Sequence, residues 1–185
     1  MPKKVVVIGP ESTGKTTLSQ SLSSHYQVPW VPEYAREFID RLGRPYELED
    51  LTRIARGQLE REDRGLREAG ELLICDTDLY VLKVWSEHAF NTCDPWILGQ
   101  IAERKYDLYL LTYIDVPWTD DPQREHPEPA MRAYFYQVYR DIVIQSGTPW
   151  KEIRGNQPIR LSQSIESIGK ILNLHREGTI NPETL

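Results

Sequence analysis

Apolar and polar residues fall along this chain in alternating blocks of two kinds. Lys3 to Ile8 is a continuous β-branched run, the signature of a strand buried on both faces. Val28 to Val31, Leu72 to Cys75, Leu108 to Ile114 and Trp150 to Ile153 are shorter runs of the same kind. Between them the spacing changes to three and four. Helices are predicted over Lys15 to His25, Glu33 to Leu42, Leu48 to about Ala69, Leu79 to Ala89, Trp96 to Arg104, Met131 to Ile144 and Ile165 to His175. In the third of these Leu48, Leu51, Ile54, Ala55 and Leu59 mark one face; in the sixth Met131, Tyr134, Phe135, Val138 and Ile142 do. Val116 to Pro129, rich in proline and charge, reads as a long loop. No repeat or Gly/Ser linker interrupts the series. Strands alternating with helices imply an α/β fold: a central parallel sheet of about five strands with helices on both faces. Ligands in such folds bind beyond the carboxyl ends of the strands.

Length and charge narrow the picture. A chain of 185 residues suits one domain, expected over residues 1–176 with a loose tail over 177–185. Charged residues at 27% and apolar ones at 39% are globular usage, which excludes a disordered chain. The net charge of −6 excludes a strongly basic nucleic-acid footprint. No apolar run approaches the roughly 18 residues that span a bilayer, and Val5 to Ile8 is too short for a signal-peptide core. Cys75 and Cys93 cannot make a disulfide framework, and reduced thiols fit a cytoplasmic protein. A small-molecule partner is expected, with no nucleic acid and no membrane; a homo-oligomer is left open.

The chemistry sits just after the strands. Gly9-Pro10-Glu11-Ser12-Thr13-Gly14-Lys15-Thr16 matches the P-loop pattern G-x-x-x-x-G-K-[ST] in full, between a predicted strand and a predicted helix. Gly9 permits the tight turn out of the strand, and Gly14 lets backbone N–H groups approach phosphate oxygens. Lys15 supplies the charge between β- and γ-phosphates, and Thr16 offers a hydroxyl to Mg²⁺. With Thr17 behind them, Gly9 and Glu11 to Thr16 form the expected ATP site.

Three kinds of P-loop protein compete. The Asn-Lys-x-Asp guanine reader of GTPases is missing: Asn156 is followed by Gln157, Pro158 and Ile159. An AAA-like or motor ATPase favours an acidic pair with a Glu after the third strand, and here the strand ends Cys75-Asp76-Thr77-Asp78. A small-molecule phosphotransferase needs a metal carboxylate, an acid or base near the acceptor hydroxyl, and mobile cations over the phosphates. Asp76 is the expected metal carboxylate beside Thr16. Glu33, in Val31-Pro32-Glu33-Tyr34-Ala35-Arg36, or Asp78 would serve as the base, though Asp78 equally suits the N-cap of the next helix. Arg36 lies one turn from Glu33 and could pair with it or with a phosphate. The long loop suits a lid whose Arg124, with Arg132 as a second candidate, is brought to the transferring group. Tyr34, Tyr80, Trp85 and Trp118 lie near strand ends and could stack on a planar cationic ring, against core packing as the alternative. The four histidines lack metal-ligand spacing and read as structural or exposed.

The P-loop through Leu18, the segment Val31 to Arg36, Cys75 to Asp78, Leu110-Leu111-Thr112-Tyr113-Ile114-Asp115-Val116-Pro117-Trp118 and Ile153-Arg154-Gly155 occur in this order. Together they resemble the kinase domain of NadR-type ribosylnicotinamide kinases, from about Lys3 to about Leu172. The resemblance implies a P-loop fold related to nucleoside kinases. It also implies ATP- and Mg²⁺-dependent phosphorylation of nicotinamide riboside to nicotinamide mononucleotide in NAD salvage. Under it Lys15, Glu33, Asp78 and Arg124 are the catalytic candidates, Thr16 and Asp76 the metal candidates, and Glu33, Tyr34, Arg36, Asp78 and Trp85 the acceptor candidates. No helix-turn-helix region or His-x-Gly-His motif is present, so repressor and adenylyl-transfer activities are not expected. A nucleotide-sensing regulatory ATPase, a kinase of another nucleoside-like alcohol and a polynucleotide-end kinase are the alternatives; the net acidity opposes the last.

Overall fold

A computed structural model describes residues 1–177, so the tail expected over 177–185 lies, from residue 178 on, outside the described residues. Among the described residues five strands form one sheet: β1 (Lys3–Ile8), β2 (Trp30–Val31), β3 (Leu72–Asp76), β4 (Leu108–Thr112) and β5 (Trp150–Ile153). The order is β2-β3-β1-β4-β5, and every pair is parallel. Seven helices among the described residues complete it: α1 (Lys15–Tyr26), α2 (Tyr34–Leu42), α3 (Leu48–Glu68), α4 (Leu79–Phe90), α5 (Pro95–Glu103), α6 (Pro129–Gln145) and α7 (Gln157–Glu177).

Each strand face has its own core, as the uninterrupted apolar runs require. Val5, Val7, Leu72, Ile74, Leu108 and Leu110 pack against Leu18 and Leu22 of α1 and Ile168 of α7. Val6, Ile8, Leu73, Cys75, Tyr109 and Leu111 pack against Val84 of α4 and Phe135, Tyr136, Tyr139 and Val143 of α6. A third cluster lies off the sheet, where Leu51, Ile54, Ala55 and Leu59 meet Ala35, Leu79, Leu82 and Ile97. The apolar stripe read from Leu51 to Leu59 is thus the joint between α3 and its neighbouring helices.

Several boundaries differ from expectation, those of β2 and α7 among them. β2 is only Trp30–Val31, because it is an edge strand paired on one side. α7 starts at Gln157, eight residues before the expected Ile165. Asn156 caps it, its Oδ1 accepting from the Ile159 N–H at 3.2 Å. Pro158 sits in the first turn, where no intrahelical N–H is needed. The Asn-Gln-Pro sequence is a helix start.

Strand register sets the cleft. Val7 lies opposite Asp76, and Ile8 opposite Leu111. The chain leaving β1 at Gly9 therefore emerges between the ends of β3 and β4, level with Thr77 and Thr112.

Candidate active site

Gly9 has φ 145° and Gly14 φ 78°, both in the region that favours glycine. A Cβ on Gly9 would lie 2.5 Å from Thr112 Oγ1, so the turn out of β1 admits no side chain. Thr13 is fully buried, and its hydroxyl donates to the Pro10 carbonyl at 2.7 Å and pairs with the Thr112 hydroxyl at 2.7 Å. Its side chain shapes the loop from inside and leaves only its backbone to a ligand. Lys15 Nζ folds over the loop to the Pro10 carbonyl at 2.8 Å. The loop then opens directly into the N-terminus of α1, whose first turn carries no acidic residue.

Arg160 holds this loop from beneath. It is 1% exposed and donates to the carbonyls of Thr13 (2.7 Å), Tyr113 (2.9 Å) and Gly155 (2.7 Å) while pairing with the Asp115 carboxylate. Nothing in a motif singles it out. Its signal was the unrecognised first turn of α7.

Thr16 Oγ1 donates to Asp76 Oδ2 at 2.6 Å. Asp76 is 1% exposed, and its Oδ1 has no protein partner. Burial raises its carboxyl above the ordinary value, opposed by the Thr16 hydroxyl and the Lys15 ammonium. An orphaned buried carboxylate oxygen beside a P-loop hydroxyl fits a hydrated Mg²⁺. Among the described residues no group of three or more His, Cys, Asp or Glu side chains could hold a metal alone. Nucleotide phosphates and water would have to complete the shell, as is usual for this ion.

The cleft above this pair has a volume of about 380 Å³. All of Gly9 to Thr17 line it, with Glu33, Arg36, Trp85, Arg124 and Arg132. Glu33 stands at the N-cap of α2 but makes no side-chain cap bond, so its carboxylate is left for the cleft. Burial raises its pKa, Lys15 lowers it and Asp76 raises it again. A proton-accepting carboxylate is thereby moved toward neutrality.

The loop between β4 and α6 lies over the cradle as a lid. Its Thr119 N–H donates to Ser12 Oγ at 2.9 Å, and Glu11 Oε2 accepts from the N–H groups of Glu125 (3.0 Å) and His126 (3.3 Å). Arg124 reaches Ser12 Oγ at 3.3 Å, and Arg36 pairs with Asp121 at 2.9 Å. Arg132 donates to the Val116 carbonyl at 2.9 Å, and burial lowers its pKa. In this state Glu11 and Ser12 use their side chains on the lid.

Four residues expected near the acceptor are placed elsewhere. Asp78 is 3% exposed and caps α4: Oδ1 accepts from the Tyr80 N–H at 3.0 Å, and Oδ2 from the Tyr109 hydroxyl at 2.7 Å. It does not line the cleft, and both its oxygens are engaged. Tyr34 packs on Gly57, under the Arg61 guanidinium (4.6 Å), with its N–H bound to Gln58 Oε1 at 2.7 Å. It anchors α2 to α3. Tyr80 faces a separate cavity of about 320 Å³ with Asp78 and Tyr109. Trp118 lies out on the lid, bonded to Asp120 at 3.0 Å.

Trp85 alone of the four aromatics lines the cleft, and its companions were not foreseen. Tyr46, His88, Phe135 and Tyr139 surround that end. His88, His126 and Phe135 meet in edge-on and tilted contacts at 4.9 Å centroid distances, so two histidines read as scattered come together at the cleft. Sequence distance hides them; the clue available was that Phe135 and Tyr139 share the apolar face of α6.

Fold and site together define a P-loop nucleotide-binding domain of the α/β class. The family model described as AAA domain (AAA_28) matches residues 4–160, and the chain belongs to that family. The match fixes the nucleotide-binding domain; the third strand still ends without the neighbouring Glu of a hydrolytic pair. The chain is 22% identical over 158 residues to the trifunctional NAD biosynthesis/regulator protein NadR of Salmonella typhimurium, covering 82% of this chain and 38% of that protein. It is 26% identical over 150 residues to the Escherichia coli protein of the same name, covering 78% and 36%. The chain thus spans less than half the length of these curated relatives. A crystal structure of NadR in complex with NR superposes with a TM-score of 0.77 at 22% identity, covering 93% of this chain and 50% of that one. Among the described residues no helix is long and apolar enough to cross a membrane.

Proposed function

We propose that the chain transfers the γ-phosphoryl group of ATP to the 5′-hydroxyl of nicotinamide riboside. The observation that carries the reading is the join, within one cleft, of a phosphate cradle, the free Glu33 carboxylate and an aromatic end formed by Trp85, Tyr46 and Phe135. Two relatives named for NAD biosynthesis and a structural neighbour holding NR support the choice of acceptor.

Each residue then has a task. Lys15 swings from the Pro10 carbonyl to the phosphates, which Gly9 to Thr17 cradle. Thr16 and Asp76 would hold Mg²⁺, which neutralises charge on the phosphate oxygens when bound. Glu33 accepts the proton of the attacking hydroxyl, Arg36 and Arg124 face the transferring group, and the lid excludes water. The aromatic end takes a planar cationic ring by stacking and cation–π attraction. A base-reading nucleoside pocket would need amide side chains instead. Among the described residues Asn and Gln contribute only Gln123 to the cleft, and that residue is bonded to the Arg36 carbonyl and Asp40.

The test is a coupled assay of ADP release with saturating ATP and Mg²⁺. Nicotinamide riboside should exceed adenosine, uridine and thymidine in kcat/KM by at least about 10²-fold. Thymidine phosphorylated as well as nicotinamide riboside would refute the acceptor and leave a P-loop small-molecule kinase.

A further inference from the structure

Tyr46 lies in the short connection between α2 and α3 and belongs to no motif. Its hydroxyl is used twice. It accepts from Trp85 Nε1 at 2.8 Å and donates to the Glu125 carboxylate at 3.2 Å. A phenol has one proton to give, so the two bonds fix its orientation. Its ring meets Trp85 edge-on at 4.7 Å and Phe90 at 5.9 Å, which holds the side chain in place.

Glu125 is therefore held at two points. Its backbone N–H is bound by Glu11 of the P-loop, and its side chain by Tyr46 on the aromatic end. Arg124, its neighbour in the chain, reaches Ser12 between those anchors. One anchor senses the cradle and the other the aromatic end.

We infer that Tyr46 is a positioning residue that ties Trp85, the aromatic seat of the acceptor, to the lid carrying Arg124. An acceptor seated against Trp85 steadies the indole, and through Tyr46 it steadies Glu125. Arg124 is then held over the transferring group when an acceptor hydroxyl is present to take it. The consequence is preference for the acceptor over water. The inference rests on the proposed kinase reading, and its test has one readout that needs no acceptor.

Tyr46→Phe keeps the ring and removes the relay. The ratio of acceptor phosphorylation to ATP hydrolysis should fall roughly tenfold, the scale of one hydrogen bond to a charged group. The fall should come in kcat more than in KM for ATP. Glu125→Ala should reproduce it, and Glu125→Gln, which keeps an accepting oxygen, should retain most of the coupling. The double variant Tyr46→Phe/Glu125→Ala should lose no more than either single one, since both act on one bond. Without acceptor, trypsin should cut after Arg124 severalfold faster in Tyr46→Phe than in the wild type, both with an ATP analogue bound. Independent, multiplying losses in the double variant, or an unchanged trypsin rate, would overturn the relay. Wild-type enzyme inactive on nicotinamide riboside would overturn the acceptor reading instead, with trypsin still deciding the relay.

Discussion

Asp78→Asn separates two roles that the sequence leaves together. In the structure Asp78 is an N-cap, buried against Tyr109 and out of the cleft. Burial pushes its carboxyl from 3.8 up to about 7, against the bonds from Tyr109 and the Tyr80 N–H that favour the charged form. A carboxyl with a raised folded-state pKa binds its proton more tightly in the native protein than in the unfolded one. The stabilisation is complete below about pH 4 and is lost as pH rises toward 7. A shift from 3.8 to about 7 corresponds to about 4 kcal/mol. Asn keeps a capping oxygen for the Tyr80 N–H and carries no charge to desolvate. The variant should therefore gain up to about 4 kcal/mol relative to the wild type on going from pH 4 to pH 8. Urea unfolding at the two pH values, followed by far-ultraviolet circular dichroism, measures the difference. Activity at neutral pH should stay within a few-fold of the wild type. A parallel pH dependence of the two proteins would refute the burial argument. A loss of about 10³-fold in kcat from a folded variant would restore Asp78 as the base.

Three further outcomes follow from the cleft. Lys15→Ala should abolish ATP turnover with a melting temperature near that of the wild type, checked by coupled assay and calorimetry, because Lys15 contributes one bond to Pro10 in the fold. Asp76→Asn should lower activity roughly 10–100-fold at limiting Mg²⁺, with partial recovery in excess metal; a loss independent of Mg²⁺ concentration would deny the ligand role. Glu33→Gln should cost about 10²–10⁴ in kcat. With the raised pKa of Glu33, wild-type kcat/KM should fall as pH drops through that value, and a pH profile should show this acid limb missing in the variant.

Local pattern carries the sheet and the cradle because both are contiguous. The run Lys3–Ile8, the P-loop behind it and Lys15 at the start of α1 need no distant contact to be read. Glu33 and Arg124 line the cleft as their positions after strands suggest, since a parallel sheet opens its clefts there. What escaped depends on packing. Tyr34 looks like a site residue by position, yet the bare backbone of Gly57, 23 residues on, draws its ring away. Tyr46 packs on the third core cluster and His88 against Phe135 of α6, contacts that no local period reveals. Arg160 escaped with the helix turn that carries it, which begins at Gln157, eight residues before the expected start.

The end of β3 shows why the two acidic residues there part company. Side chains two apart on a strand share a face. Leu72 and Ile74 belong to the α1 side of the sheet, and Asp76 continues that series to meet Thr16. Alternation would bring Asp78 to the same side. Thr77 breaks the alternation with φ 70°, a conformation rare for a β-branched residue. Its N–H is held by the Val7 carbonyl at 3.0 Å, and its side chain is buried. The chain turns there, and Asp78 passes to the opposite face, where Tyr109 receives it. One left-handed residue thus lets the two carboxylates on either side of it take up separate work. Asp76 stays beside the phosphate cradle with a free oxygen, and Asp78 starts the helix that carries Trp85 to the cleft.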